Sequence, residues 1–163
     1  MNYLIREMHS SEYPLLEDFL YQAIYQSDKT NLAARLIIEK PELQVYIKDF
    51  GKKKDDYCFC ADIDGKVIGA VWVRNINDYG TIDNDTVEFA ISVFDEYQKR
   101  GIGTALMNKM IEHLEKLNYP KASLAVQKEN YAVRMYQKVG FEIVDENEQE
   151  YIMIHQLGNQ NVI

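Results

Sequence analysis

Two hydrophobic periods alternate along the chain. Residues 12–26 carry Leu15, Leu16, Phe19, Leu20 and Ala23 at helical spacing behind Ser10 or Ser11, which predicts a capped helix following a short first strand over 3–8. Residues 27–50 read as a second helical region broken near Pro41, and residues 52–56 as a solvated charged loop. Residues 57–63 and 66–74 are apolar runs of strand length joined by Asp64-Gly65, the strongest hairpin signal in the chain. A polar turn over 75–85 leads to a strand over 86–93. In residues 101–117, Ile102, Leu106, Met110, Leu114 and Leu117 form one helical stripe. Then come a strand over 121–127, a helix capped by Asn130 and ended at Gly140, and two closing strands over 141–145 and 150–157. Strand, helix and strand over 86–127 imply one parallel crossover.

At 163 residues the chain predicts one domain, placed over 1–157 with a frayed tail at 158–163. No apolar run approaches the roughly 20 residues of a membrane helix, and no signal peptide is visible in the first ten residues. Cys58 and Cys60 read as reduced thiols on one strand face, which predicts a cytoplasmic protein. With His9, His113 and His155 scattered, no zinc spacing appears, and no metal is expected.

The net charge of −8 argues against nucleic acid and anionic membranes as partners. The charge is unevenly spread. Residues 98–138 hold eight bases against three acids, a local +5 that leaves −13 on the remainder. Such a segment is suited to meet a polyanion while another surface meets a cation.

The basic segment opens on the most informative turn. A strand ends near Val93, and after a short loop Lys99, Arg100, Gly101 and Gly103 stand at the front of the strong amphipathic helix. A helix N-terminus leaves unpaired N–H groups and a partial positive charge, and glycines there let a ligand approach the backbone. The chemistry calls for a phosphate or pyrophosphate. A dinucleotide fingerprint fits poorly because its third glycine falls at Leu106, and a phosphate loop of the Gly-Lys-Ser/Thr type is lacking.

Gln98-Lys-Arg-Gly101-Ile-Gly103 resembles the Q/R-x-x-G-x-G/A signature of the Gcn5-related N-acetyltransferase (GNAT) superfamily. Asn130-Tyr-Ala-Val-Arg-Met-Tyr136-Gln-Lys-Val-Gly140-Phe141 resembles its second conserved segment, with Ala132 offset, and the motifs stand one helix and one strand apart. The resemblance implies an α/β fold with a mixed, mostly antiparallel central sheet and helices on both faces. It also implies transfer of an acetyl group from acetyl-CoA by direct attack of an amine. The cofactor's pyrophosphate is expected on the backbone N–H groups of Lys99, Arg100, Gly101, Ile102, Gly103 and Thr104, and its pantetheine arm along Ile91 and Val93, with Gln98 and Asn130 as further contacts.

Amine attack on a thioester needs a proton acceptor near the amine and a donor near the departing sulfur. Strand alternation puts Glu88, Ala90 and Ser92 on the face opposite Val87, Phe89, Ile91 and Val93. Glu88 is thus the candidate base, the competing reading being an exposed edge-strand glutamate. The resemblance makes Tyr136 the candidate acid, against a core tyrosine on the apolar stripe of Ala132 and Val139. The resemblance places the acceptor site at the first helices and the turn before Glu88, which makes Tyr25, Asp83 and Asp85 candidate substrate contacts. The acidic balance there predicts a cationic small-molecule or peptide amine. A homodimer stays open. The rival readings are a non-catalytic acyl-CoA sensor on the same fold and a generic nucleotide-phosphate binder.

Overall fold

The computed structural model describes residues 2–24, 33–76 and 86–158. Tyr25, Asp83, Asp85 and the tail beyond Gly158 lie outside the described residues, as do parts of the predicted second helical region and polar turn. Seven strands form one sheet in the order β1-β2-β3-β4-β5-β7-β6. They are β1 Leu4–Glu7, β2 Tyr57–Ile63, β3 Lys66–Arg74, β4 Thr86–Val93, β5 Lys121–Gln127, β6 Glu142–Glu146 and β7 Glu150–Gln156. Every neighbouring pair is antiparallel except β4 and β5, the expected parallel crossover through a helix.

Helices cover both faces. On one face α3 (Ile102–Lys116) and α4 (Ala132–Lys138) close a core with Val71, Val87, Phe89 and Leu124. On the other, α1 (Leu16–Ala23) and α2 (Pro41–Gln44) cover Cys58, Cys60, Ala70 and Trp72. Both cysteines are free and buried. The strand period sets this division, since successive residues of β3 and β4 go to opposite cores. Among the described residues no helix is long and apolar enough to cross a membrane.

Most local expectations hold. Asp64 and Gly65 adopt φ of 52° and 88°, the pair of positive angles that a two-residue hairpin turn with matching twist requires. Ile102, Leu106, Met110 and Leu114 are all buried on α3, but Leu117 lies past the helix end and is 46% exposed. The first helix begins differently from the sequence reading. Residues Ser10–Leu15 form a 3₁₀ segment, and the cap is His9, whose backbone N–H donates to the Glu12 carboxylate at 2.9 Å. Arg6 anchors the same carboxylate with its two terminal guanidinium nitrogens, each at 2.9 Å. Pro41 starts α2 rather than breaking a helix, because a first-turn residue has no N–H obligation to meet.

The largest departure is the charged loop. Lys52, Lys53 and Lys54 are exposed as expected, but Asp55 is buried and the Asp56 side chain is wholly buried against Arg74 at the end of β3. Arg74 donates to both Asp56 oxygens, at 3.0 and 2.8 Å, and to the carbonyls of Val45 (3.1 Å) and Lys48 (2.8 Å). Asp56 also accepts the Gly51 and Lys53 amides at 2.8 and 3.2 Å. The Trp72 indole, two residues earlier on the same face, donates to the Tyr46 carbonyl at 3.0 Å. Buried donors on β3 therefore fix the backbone over 45–56 to the sheet.

Removing one partner of a buried ion pair strands the other charge. Asp56→Ala is expected to lower unfolding free energy by about 3–5 kcal/mol, read from urea midpoints, whereas the joint replacement Arg74→Met with Asp56→Leu costs less.

Candidate active site

The strands part at one point. β4 and β5 pair only at Thr86–Lys121, Val87–Ala122 and Glu88–Ser123. Beyond Glu88, β4 stays paired with β3 through Val93, while β5 stays paired with β7 through Gln127. The sheet therefore splits in two, and a cavity of about 310 Å³ opens in the wedge. Its walls include Phe89, Ala90 and Ile91 of β4, Leu124–Gln127 of β5, Leu20 and Ile24 from the α1 side, and Tyr46 from the turn after α2. Asn130, Tyr136, Glu42 and Glu150 also line it. A groove of about 830 Å³ over Glu17, Arg35 and Glu39 is larger but lies on the outer side of α1 and α2, away from these residues.

The front of α3 follows the end of β4 on the α3–α4 face, and residues 98–104 are not among those that line the cavity. Gly101 caps the helix at φ +83°, a left-handed angle that L side chains rarely adopt. A Cβ built there meets nothing within 4 Å, so the space before the helix is open. The amides of Ile102, Gly103 and Thr104 belong to the first turn, which has no preceding turn to bond. Lys99 is also left-handed, at φ 63°. Arg100 lies over the Tyr97 ring, 5.9 Å from its centroid. These bare amides, open volume and adjacent bases fit a diphosphate.

The remaining expected cofactor contacts divide. Ile91 lines the cavity. Ile102 has its side chain in the core, leaving its amide as its contribution. Gly103 faces α4, where an added Cβ would lie 3.4 Å from the Met135 sulfur. Gln98 uses its side chain inside the loop: its amide donates to the Val93 carbonyl at 2.8 Å and its oxygen accepts the Tyr131 hydroxyl at 2.9 Å. Gln98 thus shapes the turn, and the Val93 carbonyl is already engaged. Asn130 accepts the Ala132 amide at 2.9 Å, the predicted cap, and also lines the cavity.

Glu88 is no edge residue. It sits on a central strand, 1% exposed, in a β3–β4 register with no bulge. One carboxylate oxygen, Oε2, accepts the Tyr46 hydroxyl; the other, Oε1, is fully buried and has no partner among the described residues. Burial pushes its pKa up to about 7, against the opposing pull of the Tyr46 bond. Its cross-strand neighbour Arg74 is committed to Asp56 and the loop carbonyls. Tyr136 is also buried, and burial pushes its phenol up to about 12. It belongs to the core on the α3–α4 face, whereas Tyr46 packs on the opposite core, yet both line the same cavity. Burial and the negative charges of Glu88 and Glu150 hold the Tyr46 phenol firmly protonated. Glu150 is itself raised by burial.

Tyr46, Glu42 and Glu150 were not among the residues the sequence singled out. Glu150 pairs across from Gln127 on β5, a register that only the sheet discloses. Among the described residues no group of three or more His, Cys, Asp or Glu side chains could hold a metal ion.

Comparison with known proteins agrees with this geometry. Residues 15–141 match the model of the Acetyltransferase (GNAT) family. An uncharacterized N-acetyltransferase of Methanocaldococcus jannaschii is 35% identical over 104 residues, 60% of this chain and 44% of that protein. An N-alpha-acetyltransferase of Sulfurisphaera tokodaii is 30% identical over 94 residues, 53% of this chain and 56% of that protein. The chain thus spans about half the length of the curated relatives it matches. Among solved structures, the PaiA N-acetyltransferase of Thermoplasma acidophilum, in complex with coenzyme A, shares the fold with a TM-score of 0.70 at 18% identity, over 96% of this chain and 99% of that one. With a family match over most of its length and the expected mixed, mostly antiparallel sheet in place, the chain belongs to the Acetyltransferase (GNAT) family.

Proposed function

We propose that the protein is an acetyl-CoA-dependent N-acetyltransferase acting on a cationic amine, small molecule or peptide. The observation that carries this reading is that a buried phenol from one face of the sheet and, from the other, a phenol bonded to a carboxylate behind it line one cavity. When bound, acetyl-CoA supplies the activated acetyl thioester. Gly101, Ile102, Gly103 and Thr104 would offer their amides to its diphosphate, with Lys99 and Arg100 adding charge. Ile91 would border its pantetheine arm.

Tyr136, protonated at neutral pH, donates to the departing sulfur. Glu88 is the terminal proton acceptor for the amine. A carboxyl group with a pKa of about 7 suits that task, since both of its protonation states are populated at neutral pH. Glu42 and Glu150 are the formally charged side chains in the cavity wall, which favours an ammonium over a carboxylate or neutral acceptor.

Gly101→Glu is expected to abolish coenzyme A binding in calorimetry, because the residue is strained at φ +83° and its charge opposes the phosphates. Retained affinity would reject the cradle.

Tyr136→Phe is expected to lower kcat about 10- to 100-fold with little change in coenzyme A affinity. Unchanged turnover in a thiol-release assay would remove Tyr136 from the acid role. Run across a panel of amines, the same assay tests the acceptor: polyamines and peptide amines are expected to outrun neutral or carboxylate-rich ones.

The Glu88 carboxyl gains protons on folding, so its contribution to stability is full below about pH 4.5 and is lost as pH rises through about 7. Glu88→Gln is therefore expected to raise Tm at pH 8 and to have a smaller effect or none at pH 5, read by calorimetric melts.

A further inference from the structure

Glu88 poses a geometric problem for direct proton abstraction. Its side chain is not part of the cavity wall, its Oε1 is sealed from solvent, and its Oε2 is covered by the Tyr46 hydroxyl. A base must come within hydrogen-bond reach of the proton it removes. Among the described residues, the group that both lines the cavity and bonds Glu88 is Tyr46.

We propose that the Tyr46 hydroxyl meets the acceptor amine and relays its proton to Glu88. This inference rests on the reading of Glu88 as the terminal base. In the step, an N–H bond of the ammonium breaks and its proton forms an O–H bond on Tyr46. The proton that Tyr46 held passes to Oε2 of Glu88 together with this transfer. The nitrogen keeps the electron pair for attack, Tyr46 begins and ends neutral, and Glu88 ends as the neutral acid. The proton returns by the same route to water entering the cavity after product leaves. A phenol whose ionisation is opposed by burial and two carboxylates is suited to passing a proton on without ever holding a full negative charge.

The fold holds Tyr46 for this task from behind. Its carbonyl accepts the Trp72 indole, and the carbonyls of Val45 and Lys48 are gripped by Arg74, which is locked to Asp56. The carboxylates that share the cavity wall with Tyr46 are Glu42 of α2 and Glu150 of β7. Arg74 from β3 is neutralised by Asp56, and Glu150 from β7 acts on Tyr46 as a negative charge. Ser123 from β5, the register partner of Glu88, contributes a neutral hydroxyl. A structural tyrosine pinning the α2 turn to the sheet would need the bond to Glu88 but not the exposure to the cavity.

Tyr46→Phe, Glu88→Gln and the double variant separate these roles, using an amine that the wild-type protein acetylates. Coenzyme A affinity confirms that each variant is folded, since the cradle at Gly101 lies on the opposite core. The relay predicts that Tyr46→Phe lowers kcat about 10- to 100-fold and removes the acid limb of the kcat/KM profile that Glu88→Gln also removes. The double variant is then no worse than the poorer single one, because the two groups act as a unit. Trp72→Phe, which frees the Tyr46 carbonyl, gives a smaller loss in kcat with KM for the amine nearly unchanged, and serves if Tyr46→Phe does not bind coenzyme A. Wild-type kcat and an intact acid limb in Tyr46→Phe, or in Trp72→Phe where that variant serves, would overturn the relay while Glu88→Gln still loses activity. Wild-type kcat in Glu88→Gln would overturn the base reading itself and the relay with it.

Discussion

The point at which β4 and β5 stop pairing governs the whole arrangement. A fully paired sheet separates its two faces, so a side chain on one core cannot meet a side chain on the other. Here pairing ends after Glu88 and Ser123, and the wedge joins the two layers. Tyr136 enters from the α3–α4 side and Tyr46 from the α1–α2 side. The strands diverge without a frayed edge because each keeps its other partner: β4 remains bonded to β3 and β5 to β7. The wedge therefore leaves β4 and β5 backbone facing a cavity while each strand keeps its outer partner, a setting suited to an extended ligand.

The same split brings the proposed acid and the proposed base to one small space. The two candidate proton carriers are not given different chemistry by distant charges; both are shifted upward, and by the same cause, burial. A carboxyl moved up to about 7 becomes a usable base near neutrality, whereas a phenol moved up to about 12 becomes a more secure proton reservoir. One physical effect thus yields opposite roles because the two groups start on opposite sides of neutral pH. The buried Arg74 would spoil this if it faced Glu88 unpaired, since an adjacent guanidinium would pull the carboxyl back to low pKa. Asp56 prevents it by taking both guanidinium donors that point its way.

Much of the fold was readable because its determinants are local. The Asp64-Gly65 turn, the stripe from Ile102 to Leu114 and the caps at Asn130 and Gly140 each depend on neighbours within a few positions. The glycine turn proposed as the cradle was readable as a local element for the same reason: strand, turn and helix are contiguous. What the sequence withheld is non-local. Nothing in residues 52–56 marks Asp56 as the partner of an arginine 18 positions on, and a run of lysines and aspartates reads as solvent-facing. An arginine at the end of the apolar strand Val67–Val73 was the available hint, since such a residue needs an acid if buried. Tyr46 was hidden more deeply, because its role arises from the contact with Glu88, 42 positions away.

The uneven charge of the chain is a consequence of this geometry as well as a clue to it. The basic segment over 98–138 contains the whole α3–α4 layer and β5, the part that borders the amide cradle. The acids in the cavity wall, Glu42 and Glu150, come from α2 and β7, outside that segment. A polyanion and a cation approaching the same cavity would repel from each other's entrance and be drawn to their own. Under the proposed function, this separation of charge between the basic segment and the acids of the cavity wall would guide two reactants of opposite sign to the cavity. A net charge of −8 spread evenly would offer no such polarity, so the distribution of charge carries more functional information here than its total.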